Sequence, residues 1–128
     1  MAYPYPLKLA PTSTNLAAAR DLSRPAVDKF VQLVGSSVMP LVDLVQADEP
    51  PTPAQIVDAL QVWREAAEAI DQQAYFVAGI AIMGGAAVTT SARKMRVRPA
   101  TLSERLAETW AMLRGRDLHL VDGSWQPK

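Results

Sequence analysis

The sequence predicts an all-α protein with three main helices, and three observations carry that prediction. The first is a heptad seam. Ile56, Leu60, Trp63, Ala67, Ile70, Ala74, Val77, Ala81, Gly84 and Val88 follow one another at alternating steps of four and three, the spacing that lines one face of a long helix. The second is composition. Apolar residues make up 49% of the chain and aromatics only 6%, so the core is aliphatic and alanine-rich, and alanine loses no side-chain entropy in a helix. The third is punctuation. Ser23-Arg24-Pro25 and Thr52-Pro53 each place a capping hydroxyl just before a proline, where the missing N–H costs nothing.

Residues 1–14 form the expected N-terminal arm. Pro4, Pro6 and Pro11 fix φ and remove donors, which predicts an extended segment. Tyr3, Tyr5, Leu7 and Leu9 alternate along it and give it one apolar edge. Residues 15–128 are read as a single helical domain. Asn15 caps a short turn, and the first main helix runs from about 24 to 46. Val27, Phe30, Val31, Val34 and Val38 make its apolar face, and Pro40 kinks or breaks it. Asp48–Pro53, DEPPTP, is a stiff boundary.

The second helix is expected over 53–92. Asp58, Arg64, Glu65, Glu68 and Asp71 mark its first half, whereas Ala74–Thr90 is apolar or small on every face. A helix of that kind is buried in an assembly or in lipid. Small residues on the seam let a partner backbone approach. Gly84-Gly85 marks either a break or a tight crossing. A third helix over 101–114 starts at the capping box Thr101–Glu104 and ends at Gly115. Asp122-Gly123 predicts a small C-terminal β-hairpin that packs Trp125 back on the last helix.

Formal charge is balanced, with 13 bases and 13 acids, which argues against broad non-specific nucleic-acid binding. The balance is uneven along the chain. Residues 1–92 carry five bases against nine acids, a net of −4. Residues 93–128 carry eight bases against four acids, a net of +4. With no cysteine, disulfides, thiolate metal sites and thiol nucleophiles are excluded. His119 is the only histidine and has no local metal or triad partner. Glu65 and Glu68 lack the histidines of a di-metal bundle. The glycines fit no phosphate loop and the serines no nucleophile elbow. No catalytic residue, cofactor or metal is expected. The N-terminus lacks a basic stretch followed by an apolar run, so no cleaved leader is expected; the sequence does not otherwise indicate localisation.

The functional expectation is a non-enzymatic structural or assembly protein, acting as a homo-oligomer or with other subunits of a larger complex such as a virion. The ten seam residues from Ile56 to Val88 are the expected interface. Two alternatives stand beside it. In the first, residues 72–92 insert in a membrane, with Arg93, Lys94, Arg96 and Arg98 at the headgroups. In the second, those four bases contact nucleic acid, with Arg105, Arg114 and Arg116 adding to the patch.

Overall fold

The computed structural model describes residues 4–128. The protein is mostly helical and ends in a two-stranded antiparallel sheet. Its helices are more numerous than three: α1 (Ser13–Gln46), α2 (Pro53–Glu65), α3 (Ala67–Met83), α4 (Val88–Met95) and α5 (Pro99–Arg105). Two 3-10 turns, Tyr5–Lys8 and Trp110–Leu113, and strands β1 (Leu118–Val121) and β2 (Ser124–Pro127) complete it. The chain divides into two compact units. One comprises Met1–Ala26 with Tyr75–Lys128, and the other Val27–Ala74.

Several boundaries differ from the expectation. The arm is extended only in part, at Pro4 and again at Leu9. Tyr5–Lys8 curls into a 3-10 turn with Leu7 buried, because the φ of proline suits the first turn of a helix as well as an extended chain. Tyr3 lies outside the described residues. Helix α1 begins at Ser13, well before Ser23. Thr12 and Asn15 set that start: Asn15 N–H donates to Thr12 Oγ1 at 3.0 Å, and Thr12 N–H donates to Asn15 Oδ1 at 2.9 Å. This is the reciprocal logic of a capping box. Ser23 therefore caps nothing; its hydroxyl donates back to the Arg20 carbonyl at 3.1 Å. Pro25 and Pro40 lie inside one helix, not at a start or between two pieces.

The long 53–92 helix is three elements. Its start is as read, with Thr52 and Gln55 bonded reciprocally and Pro53 leading. Ala66 separates α2 from α3, but its backbone stays right-handed (φ −78, ψ −12). Ala66 N–H donates to Val62 O and Ile70 N–H to Ala66 O, so the two run on almost without a break. The run ends at Gly84-Gly85. There Ala86 N–H donates to Ala81 O and Gly85 N–H to Ile82 O, both at 3.0 Å. With Gly85 at φ +114 this is a Schellman stop, which needs a left-handed residue that glycine supplies without strain. The pair is also a close crossing: a Cβ on Gly84 would lie 2.9 Å from the Ala19 Cβ. The close neighbour is thus α1 of the same chain.

The 101–114 helix is also absent as one element. Helix α5 starts two residues earlier, behind Arg98, and ends at Arg105, so Thr101 does not cap. Thr109 then caps the turn Trp110–Leu113, accepting from Ala111 N–H at 3.2 Å and donating to Leu106 O at 2.8 Å. A side chain on Gly79 would run into Thr109, so this corner sits directly on α3. Asp122 (φ 51) and Gly123 (φ 80) form the left-handed turn of the hairpin, with Val121 opposite Ser124.

The core of the first unit has two parts. Ile82, Val88, Ala92, Leu102, Leu106 and Ala111 gather around Leu7. Ala18, Met83 and Leu118 form the second, with Trp110, Leu113 and Trp125 against it. Trp125 also donates its indole N–H to Asp21 of α1 at 3.1 Å. Polar bonds tie these pieces together around Asn15, which is fully buried. Its Oδ1 also accepts from Gly115 N–H at 2.8 Å, and its Nδ2 donates to the Leu113 and Arg116 carbonyls at 3.1 and 2.9 Å. Next to it, Thr14 Oγ1 accepts from Leu118 N–H at 2.8 Å. Arg114 donates to the carbonyls of Leu9, Ile82 and Ala86 at 2.7, 3.1 and 2.8 Å, and so closes the end of α3.

Replacing Asn15 by Ala removes the partner of the Thr12 and Gly115 amides and of the Arg116 carbonyl, while the Leu113 carbonyl keeps the Arg116 N–H. Each stranded group costs about 1–3 kcal/mol, so Asn15→Ala is expected to lower stability by about 3–5 kcal/mol. Urea unfolding checks this, with a lower midpoint at unchanged slope. A loss below about 1 kcal/mol would mean that the network relaxes around the gap.

Candidate functional site

The second unit, Val27–Ala74, is built from amphipathic helices whose apolar faces are poorly covered. Val27, Val31, Val34, Val38 and Val45 fall at i, i+4, i+7, i+11 and i+18 along α1, which places them on one side of the helix. Four of the five are exposed, Val45 at 85%. On α2, Ile56, Leu60 and Trp63 repeat the first three steps of that spacing, and all three are exposed, Trp63 at 46%. Val57 and Val62 are exposed as well. The residues that this unit buries are Ser37, Ala59 and Gln73, which are small or polar. Phe30, Leu33, Leu41 and Leu44 reach only half-burial. Single exposed apolar residues are ordinary, whereas periodic stripes of large ones make a continuous apolar surface and so a candidate interface.

At the corner between α1 and α2 the same unit holds an apolar groove of about 460 Å³. Leu41, Leu44, Val45 and Ile56 line it, with the stiff Pro50-Pro51 pair. Asp48 and Glu49 contribute the charge. The whole unit is acidic: Lys29 and Arg64 stand against eight acids, a net of −6. The other unit carries eleven bases against five acids, a net of +6.

Arg93, Lys94, Arg96 and Arg98 are all exposed at the end of α4 and just beyond it. The helix stops without glycine. Val97 N–H donates to Ala92 O at 3.0 Å and Arg96 N–H to Arg93 O at 3.2 Å, with Arg96 itself left-handed at φ 59. The last turn thus carries cations where the helix dipole favours them. Met95 stands exposed between Lys94 and Arg96. Two of the other bases assigned to the patch serve different ends. Arg114 is half-buried on backbone carbonyls, and Arg105 lies over the Tyr75 ring at 5.6 Å.

The ten seam residues do not share one helix. Ile56, Leu60 and Trp63 are exposed on α2. Ala67 and Ala81 are exposed on α3, where Ile70, Ala74 and Val77 are half-buried. Gly84 faces Ala19, and Val88 is buried in the core with Ile82 and Leu106. Residues 72–92 bend at Gly84-Gly85, and among the described residues no helix is long and apolar enough to cross a membrane. Among the described residues no three His, Asp or Glu side chains converge as metal ligands. His119 is an exposed strand residue opposite Gln126.

Compared with known proteins, the chain matches no family model, no curated protein and no solved structure. Function is therefore read from the surface itself. The valine stripe was readable as an amphipathic face, but the side chains meant to cover it were not. Its continuation to Val45 is hidden in the sequence by Pro40, which suggests a new direction for the chain.

The left-handed Arg96 offers a direct check of this corner. A residue with a Cβ pays about 1–2 kcal/mol there that glycine does not. Arg96→Gly, after the entropy of glycine in the unfolded chain is deducted, is expected to raise stability by about 0.5–1 kcal/mol. A thermal melt with a lowered midpoint would contradict the αL stop.

Proposed function

We propose that the chain is a non-enzymatic assembly subunit that self-associates through the apolar face of residues 27–74, as one component of a larger structure such as a virion or comparable complex. A single observation carries this reading. The second unit exposes Val27, Val31, Val34, Val45, Leu60 and Trp63 while its buried members are small or polar. At about 25 cal/mol per Å² of apolar surface removed from water, covering such stripes is the largest stabilisation open to this unit. The charge split between the units adds to it, since like units repel and unlike units attract between copies. The original seam enters this reading only in its first three members, Ile56, Leu60 and Trp63.

Sedimentation of the full chain at micromolar concentration, without detergent, tests the proposal. The wild type should sediment as an oligomer. Val31→Glu and Trp63→Glu, made separately, should each shift it towards monomer while helix content is kept, because glutamate is at least as good a helix former as the residues it replaces. A wild type that stays monomeric overturns the proposal, as does an oligomer indifferent to both substitutions.

A further inference from the structure

The groove between α1 and α2 and the corner after α4 are opposite in charge. The groove is an apolar hollow of about 460 Å³ with Asp48 and Glu49 in its wall. The corner is a single exposed methionine, Met95, set between Lys94 and Arg96, with Arg93 and Arg98 beside them. Methionine is unbranched and polarizable, and it fills irregular apolar hollows that a branched residue does not. The left-handed turn at Arg96 ends α4 sharply, so the methionine and its flanking cations stand at the very end of a helix. The Ala92 and Arg93 carbonyls of that last turn are already bonded by the Val97 and Arg96 amides, so those two require nothing from a partner.

We propose that the groove receives the Lys94-Met95-Arg96 corner of a second copy of this chain. The proposal rests on the self-association put forward above and names its contact. Three observations favour a second copy over another partner. The acidic unit and the basic unit cancel at −6 and +6, so each copy carries both halves of the match. Asp48, Glu49, Lys94 and Arg96 are all exposed, which leaves these charges open to another molecule. Groove and apolar stripes are also continuous, since Val45 and Ile56 belong to both. Two different patches meeting make the contact heterologous. Successive copies therefore add head to tail, into a ring if the rotation closes and a filament if it does not. Met95 would enter between the leucines and Ile56, while Lys94 and Arg96 approach Asp48 and Glu49. Such rim charges set register and rate of encounter and weaken with salt.

Charge reversal with complementation tests this on the full-length chain. One variant carries Asp48→Lys with Glu49→Lys and keeps a working corner. The other carries Lys94→Glu with Arg96→Glu and keeps a working groove. All four positions are exposed, and circular dichroism checks that both variants fold. Sedimentation velocity is then run on the wild type, on each variant and on their equimolar mixture. The expected result is an oligomer for wild type, monomer for each variant alone, and recovery of the wild-type assembly for the mixture, since the intact corner then meets the intact groove and the reversed corner meets the reversed groove. A monomeric mixture overturns the proposal. Either variant assembling alone to the wild-type size places another occupant in the groove and also overturns it, while the broader self-association stands. A monomeric wild type removes both. Should either double variant lose its helix content, Met95→Asp replaces it, and an oligomer of wild-type size then counts against the proposal.

Discussion

The carboxamide of Asn15 ties the start of α1 to residues 113–116. It accepts from the amides of Thr12 and Gly115 and donates to the carbonyls of Leu113 and Arg116. An amide side chain is the only uncharged one with both two donors and an acceptor oxygen, so no other neutral residue fills the place. Once the start of α1 is fixed against residues 113–116, Thr14 positions the first amide of β1. Gly115, with a positive φ and the Leu9 Cβ only 2.6 Å from where its own Cβ would be, has no room for a larger residue. Arg114 leaves the same turn in the opposite direction and closes the end of α3. The two apolar clusters of this unit are therefore enclosed by a polar frame that is satisfied nearly throughout.

The unit formed by residues 27–74 has no counterpart to that frame. Its described side-chain hydrogen bonds are local, as between Gln32 and Asp28 or Gln61 and Glu65, and its large apolar residues lie at or near the surface. Local bonds on a helix face contribute only a few tenths of a kcal/mol each, about 0.2–0.5. One unit carries the basic corner and the Asn15 and Arg114 bonds, and the other carries the exposed apolar stripes on which the proposed function rests.

Local signals in the sequence were legible where their cause is local. The Thr52-Pro53 start, the stiff DEPPTP turn and the Asp122-Gly123 hairpin each depend on residues within a few positions, and each appears where those residues stand. Gly84-Gly85 was ambiguous between a break and a crossing, and it is both, because Gly85 takes the left-handed turn while Gly84 meets Ala19. The rest was hidden by distance. Thr12 and Asn15 start α1, but Ser23-Arg24-Pro25 imitates a better start, and only packing against residues 113–118 favours the earlier one. Arg114 reads as part of a basic patch because nothing near it in sequence reveals the carbonyls of Leu9, Ile82 and Ala86. The heptad spacing continued to Val88 with no respect for the break at Gly85, since periodicity reports a face and not its continuity. At the candidate site the opposite held: the stripes were visible, and what covers them was not.

Amide hydrogen exchange at two protein concentrations tests the central claim most directly, because it reads each unit separately. The account predicts slow, concentration-independent exchange in the core helix segments 79–83 and 88–95. It predicts protection of residues 27–65 that rises as the protein is concentrated from the nanomolar to the micromolar range. Equal and strong protection of both units at every concentration would contradict it, since residues 27–65 would then need no partner.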